Sequence, residues 1–323
     1  MEMAEQFISV NLEEILVGEV LPMTVYLYLD FRFIAYRGAD DVLDRHAYER
    51  LELRGIKNLF IAEKDRQAFT NWSQKRKEEV KAIAAANVAV EASGPVPGQN
   101  KNLHKAREDL HRKTMDIFHS QHPDKAVQHC MTASRKLVNE FMKSPFATKT
   151  LSQLQTYSQG TVDHSVNVSV LSVYLALQMG YSHAVILQHV GMGGLLHDIG
   201  KTKIHFRQGE SDKEIAQKMR DHPTLGGKVL DSMKVPSEVK MIVVQHHECN
   251  DGTGFPKKIR GAQMYDLAKI VQIANVFDEL VGDGQGPLAE RQRSAIQQMD
   301  KVLYKKFDPQ KLEKALKILR LGV

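Results

Sequence analysis

Between Val166 and Leu196 the chain carries no Asp, Glu, Lys or Arg. So long an uncharged stretch belongs either in lipid or in a protein core. A membrane-spanning helix needs about 20 predominantly apolar residues. Here Asn167, Ser169, Ser172, Gln178, Ser182, His183, Gln188 and His189 interrupt the run, and Gly180 divides it into two pieces of ordinary soluble-helix length. The stretch therefore reads as a buried helical hairpin, and no membrane partner is expected.

The flanking segments read as helices around that hairpin. Lys101 to Ser120 is polar and basic, and Pro123 suits the first turn of a helix in which Val127, Cys130, Met131, Val138, Phe141 and Met142 recur at helical spacing. The periodicity predicts further helices over 163–179, 182–197, 212–220, 223–232, 236–248, 264–282, 287–304 and 309–319. The amino-terminal part differs. Residues 24–29 alternate with period two and lead through Asp30 and Phe31 into a second apolar run ending near Tyr36, which predicts a hairpin. A helix over 41–53, a stop at Gly55 and a strand over 58–62 complete a small α+β unit of residues 1–65. Residues 66–100 then form a charged helix, begun at Lys64 and reaching Ala86, and a Pro/Gly-rich linker. The expected fold class is an α+β domain followed by an all-α bundle over 101–323.

Two cysteines, Cys130 and Cys249, cannot make a disulfide framework, and the acidic start has no basic region before an apolar run, so the reducing cytoplasm is expected. A net charge of +5 over 323 residues is too mild and too dispersed to mark a nucleic-acid binder. The basic run 101–113 and the nearby histidines read as solvated faces, and Cys130 as core.

Histidine is where the chemistry concentrates. Eight of the 14 fall in the 84 residues from His164 to His247, against about 3.6 for an even spread. Neutral imidazoles and a carboxylate drawn from several helices hold divalent transition metals while leaving positions open for water or substrate. Two doublets, His197–Asp198 and His246–His247, stand out. Adjacent residues on a helix point about 100° apart, which suits two neighbouring ions better than chelation of one. Asp198 is the natural bridge, with one oxygen for each ion. Two ions about 3.5–4 Å apart activate a water and stabilise a leaving alkoxide, the requirements of phosphoester hydrolysis. Lys201 follows Asp198 by three positions and is assigned to phosphate contact; Gly200 between them permits a tight departure from the helix.

HDIGK (197–201), DHPTLGG (221–227) and HHECNDGTGFP (246–256), in this order, resemble the HD-GYP family, a branch of the HD phosphohydrolase superfamily. The resemblance covers about 160–280, and the amino-terminal unit is more loosely similar to the small domain often fused upstream. It implies a helical bundle holding two or three metals that hydrolyses cyclic di-GMP to the linear dinucleotide or GMP. Carried over by motif, the metal ligands would be His164, His197, Asp198, His222, His246, His247 and, at a position where the family has Asp, Asn275. Asp198 and Lys201 would be catalytic, and Lys201, Asp251, Gly252, Gly254 and Phe255 would meet substrate.

Departures from the family pattern sharpen the expectation. GFP replaces GYP, so Phe255 keeps the ring and loses the hydroxyl. Asn275 can coordinate only through a neutral oxygen, with Asp278 one turn on as a compensating hydrogen-bond partner. Gly160 stands where a carboxylate completes a three-metal site in some members, so two divalent metals are expected, iron ahead of manganese or zinc. Gly282 to Pro287 replaces a segment with substrate-associated Arg and Tyr, and Ile204–His205 replaces Ile-Pro. The leading expectation is a cyclic di-GMP phosphodiesterase using a hydroxide that bridges a binuclear centre. The alternatives are a catalytically degenerate signalling module binding metals and a nucleotide or protein partner, and an HD phosphohydrolase for another phosphoester. A homo-oligomer is compatible with either.

Overall fold

The computed structural model describes residues 6–15, 20–29, 32–43, 47–48, 51, 56–74, 101–119, 123–143, 161–205 and 210–321. The chain divides into two compact units, Met1–Gln99 and Asn100–Val323.

The first unit is built on a four-stranded antiparallel sheet of order β1-β4-β2-β3, with β1 (Phe7–Asn11), β2 (Val25–Leu29), β3 (Arg32–Arg37) and β4 (Asn58–Ala62). Alternation does what period two requires. Val25 and Leu27 of β2 and Leu59 and Ile61 of β4 turn into a core with Leu21, Leu43 and Leu51, while Tyr26, Tyr28 and Phe60 turn away from it. The hairpin and the strand over 58–62 match the sequence reading; β1 was not expected. It is a five-residue segment, FISVN, at the sheet edge with one buried residue, Val10, so its alternation is short and weak. Of the helix expected over 41–53, residues 47, 48 and 51 are helical, but residues 41–43 are not: Val42 forms an isolated antiparallel bridge with Val20 instead, so its apolar side chain belongs to an extended segment and not to the helix. Residues 66–74 are helical too; the rest of the charged helix and the linker lie outside the described residues.

The second unit is helical among its described residues: α1 (Lys101–His119), α2 (Pro123–Lys143), α3 (Thr161–Gln178), α4 (Ala184–Leu196), α5 (Asp212–Met219), α6 (His222–Asp231), α7 (Ser237–Gln245), α8 (Asp266–Asp283), α9 (Leu288–Lys301) and α10 (Pro309–Arg320). The uncharged stretch becomes the α3–α4 pair at the centre. Fourteen residues of α3 are buried on all sides of the helix, as an all-round apolar helix must be. It packs against α1, α4 and α8, while α4 also meets α2 and α7. Of the small polar residues of α3, Ser169 Oγ donates to the Gly191 carbonyl at 2.7 Å and Asn167 Oδ1 accepts from Arg107 at 3.3 Å, whereas the buried Ser165 and Ser172 hydroxyls have no hydrogen-bond partner among the described residues. No helix among the described residues is long and apolar enough to cross a membrane.

Helix ends decide where the chemistry sits. The helix expected over 236–248 stops at Gln245, and α4 stops at Leu196, so each doublet lies where the backbone leaves a helix. His197 and His246 are C-cap residues, and Asp198 opens a 3-10 turn over Ile199–Lys203. Gly200 in that turn has a different reason from the tight departure expected of it. A Cβ there would overlap the His222 carbonyl oxygen, so its lack of a side chain lets the turn lie against the first turn of α6. Asp198 is thereby brought beside His222.

Candidate metal centre

Five segments contribute to one buried cluster: His164 from the first turn of α3, His197 and Asp198 after α4, His222 from the start of α6, His246 and His247 after α7, and Asp278 from α8. Three of the rings are oriented by one local device. The last carbonyls of a helix have no intrahelical partner, and each ring's Nδ1 reaches a carbonyl three residues earlier in the final turn of the preceding helix. His197 Nδ1 meets Gly194 O at 2.7 Å, His222 Nδ1 meets Met219 O at 2.6 Å and His246 Nδ1 meets Val243 O at 2.7 Å. A carbonyl can only accept, so Nδ1 carries the proton and, in the neutral ring, Nε2 presents a lone pair. His164 does the same through a carboxylate, its Nδ1 donating to Asp278 Oδ2 at 2.7 Å. Asp278 thus hydrogen-bonds a ring of the cluster, a partner that its spacing from Asn275 did not identify.

The Nε2 atoms converge on Asp198. Its Oδ2 lies 3.1 Å from His197 Nε2 and 3.8 Å from His164 Nε2, and its Oδ1 lies 3.2 Å from His222 Nε2 and 4.0 Å from His246 Nε2. Each carboxylate oxygen faces its own pair of imidazoles. Within each pair the Nε2 atoms stand 3.1 Å apart. Two lone pairs at that separation repel unless a proton or cation lies between them. The potential ligand atoms form two groups, His164–His197–Asp198 and Asp198–His222–His246–His247, that share Asp198. Imidazole nitrogens of fixed tautomer around a shared carboxylate fit divalent first-row metals.

Protonation follows the same geometry. Burial pushes His246 well below the usual histidine value, and the rings of His247, His197 and His222 add to it. His247 is lowered well below it by burial and by His222. Both are neutral, the form that ligates. Burial also works against the charged form of His197, but the Asp198 carboxylate, with hydrogen bonds to Asp198 and Gly194, outweighs it and raises the value. For Asp198, burial favours the neutral acid and is overcome by His197 and Lys201, which hold the carboxyl well below its usual range.

The remaining expected site residues lie around this cluster. Lys201 is buried with Nζ 2.8 Å from Asp198 Oδ2. Phe255 stacks on the half-buried His247 with ring centroids 4.6 Å apart and planes at 21°, and its outer contact is the Arg220 guanidinium at 5.2 Å. Gly254 is pressed against the backbone of the preceding turn, where a Cβ would overlap Cys249 N and meet His247 O at 2.5 Å. Asp251 Oδ1 accepts from Thr253 N at 3.0 Å and from Thr253 Oγ1 at 2.7 Å, and Gly252 completes that turn with φ of 80°. Asn275 is buried on α8, its Oδ1 without a hydrogen-bond partner among the described residues. Gly160 lies outside the described residues. Cys249 belongs to neither ligand group, and burial pushes its thiol up.

Sequence reasoning missed two residues here. Glu248 is fully buried, and its carboxylate accepts from Lys257 N at 2.6 Å and Ile259 N at 3.1 Å, tying the 251–260 loop to the end of α7. Its signal was a carboxylate directly after the histidine doublet. Arg220, two residues before His222, had no signal beyond proximity.

Residues 141–310 match the HD domain family. A cyclic di-GMP phosphodiesterase of Pseudomonas aeruginosa is 32% identical over 148 residues, which is 44% of this chain and 35% of that protein. A 3'3'-cGAMP-specific phosphodiesterase of Vibrio cholerae is 26% identical over 222 residues, covering 65% of this chain and 45% of the relative. The matched region thus spans less than half the length of either relative. Among solved structures, a Bdellovibrio bacteriovorus protein described as HDG"Y"P superposes with a TM-score of 0.55 at 22% identity, over 98% of this chain and 100% of that one, and shares the fold. With more than half of its residues inside the family match, the chain belongs to the HD-domain family, and its His/Asp cluster lies within the matched region.

Proposed function

We propose that the helical unit is a metal-dependent phosphodiesterase of the HD-GYP type acting on a cyclic dinucleotide, with cyclic di-GMP as the first candidate. The observation that carries this is Asp198, whose two oxygens face separate imidazole pairs. His164, His197 and Asp198, with Asn275, would hold one divalent ion, and Asp198, His222, His246 and His247 the other. When bound, the two ions would activate a water for attack on phosphorus and neutralise charge on the phosphoryl oxygens. Iron is favoured, and the nitrogen-rich donor set also admits manganese or zinc.

The chain's own residues do the rest. In their neutral forms the fixed tautomers direct four Nε2 atoms at Asp198, an orientation set by backbone carbonyls and Asp278. The Lys201 ammonium contacts Asp198, is within reach of a phosphoryl oxygen there and stabilises charge that develops on it. Phe255 holds His247 by stacking and offers no hydroxyl to substrate. The relatives' activities, on cyclic di-GMP and on 3'3'-cGAMP, support a guanine-containing cyclic dinucleotide.

The test is hydrolysis of cyclic di-GMP by protein reconstituted without oxygen with ferrous iron or manganese, with the linear dinucleotide and GMP separated by chromatography. Metal-dependent product is expected, reduced at least roughly a hundredfold by Asp198→Ala. Asn275 and Phe255 favour one second reading, a module that keeps its metals and binds a nucleotide without turnover. A metal-loaded protein that binds cyclic di-GMP at equilibrium and releases no product would select it.

A further inference from the structure

Asn275 stands one turn before Asp278 on α8, and residues three apart share a helix face. Its amide therefore lies on the side from which Asp278 holds His164. The side chain is 1% exposed, and the two ends of its amide are treated differently. Nδ2 donates to Glu279 Oε1 at 3.0 Å, one turn further along the helix. Oδ1 is buried with no hydrogen-bond partner among the described residues. A buried acceptor is costly to leave unmatched, and of an amide's two ends only the oxygen carries a lone pair that can ligate a metal.

We propose that Glu279 is a positioning residue. It fixes Asn275 so that the carbonyl oxygen is presented as a neutral metal ligand, and through the same hydrogen bond it supplies the negative charge that an aspartate at this position would have carried directly. The inference rests on the metal-site reading above. It makes the two residues a unit: the oxygen comes from one and the charge from the other. Glu279 is half-buried, while the fully buried position takes the neutral amide.

The pair predicts an inverted outcome for the obvious improvement. Asn275→Asp restores the better ligand but removes the donor to Glu279 and sets two carboxylates about 3 Å apart, and like charges so close disfavour the site. Metal affinity would be read by competition with a chromophoric chelator, using ferrous iron, manganese and zinc separately, together with the thermal midpoint of the metal-free protein. Glu279→Ala is expected to weaken metal binding roughly 10–100-fold, beyond what the fall in the metal-free midpoint caused by orphaning Asn275 Nδ2 accounts for. Asn275→Asp alone is expected to weaken binding, and adding Glu279→Gln to it should restore or exceed the original affinity. The proposal is overturned if Asn275→Asp alone tightens binding, if Glu279→Ala leaves affinity untouched, or if Asn275→Leu keeps both metals and raises the metal-free midpoint. An unaltered protein that takes up none of the three metals overturns the underlying site reading instead, and the proposal with it.

Discussion

The histidines of the cluster are set by groups that carry no sequence signal of their own. Gly194, Met219 and Val243 orient three rings through their carbonyls, which any residue would supply. That is why the doublets could be read as ligands from residue type and spacing, whereas the direction of each ring could not. Asp278, which acts through a side chain, was legible as a hydrogen-bonding group, but its partner His164 was not. Burial has a measurable consequence at this scale. His246 and His247 have folded-state values depressed well below 6.5, so an unfolded chain binds protons near that pH that the metal-free folded chain refuses. Their effect is a loss of folded stability as pH falls through about 6.5. His197 has the opposite sign, its raised value contributing stability below 6.5 that is lost as pH rises through the folded value. Asp198 loses its contribution only as pH falls through a value far below 3.8, outside the range of interest. With two groups against one, the urea midpoint of metal-free protein should be lower at pH 5.5 than at pH 7.5, and His247→Gln should flatten the difference. A midpoint independent of pH over this range would contradict the protonation states assigned to the doublet.

At the scale of elements, the site depends on where helices stop and how closely the next segment approaches. The all-round apolar pattern of 166–196 and the period-two alternation of 24–29 made the central hairpin and the β2–β3 pair legible, because both patterns record burial. Helix ends were less so: nothing in composition marks Gln245 rather than Glu248 as the end of α7, since the stop is made by the loop that Glu248 ties back. The edge strand β1 has too few buried residues to leave a pattern. Gly200 shows how much one close approach carries. Its neighbours across the contact, His222 O and Gly226 N, are backbone atoms and cannot move like the end of a side chain. Gly200→Ala must therefore push the 3-10 turn and α6 apart, separating Asp198 from His222. We expect a loss of about 1–3 kcal/mol in denaturant unfolding of the metal-free protein, with a fall in bound metal beyond what that loss explains. Retention of full metal content would mean that the turn and α6 have room the packing does not indicate.

Across the whole molecule, two hydrophobic cores are drawn from separate parts of the sequence, one within residues 10–69 and the other within 103–319. Every residue of both candidate ligand groups lies among the elements of the second core. A ligand that binds only a folded state stabilises the unit that holds it, by RT ln(1 + [L]/Kd), about 2.7 kcal/mol at a hundred times Kd. Metal should therefore act on one core and leave the other as it was. In calorimetry of the full chain the expected record has two transitions. Ferrous iron or manganese at about a hundred times Kd should raise one of them by roughly 5–10 °C, the shift that such an energy produces in a unit of this size. The other should stay in place, and chelation should return the record to its starting form. Asp198→Ala should remove the metal-dependent shift while keeping both transitions, because it deletes the one side chain common to the two ligand groups. A single transition that moves as a whole with metal would instead mean that the two cores unfold together, and that occupancy of the cluster is felt by the sheet unit as well.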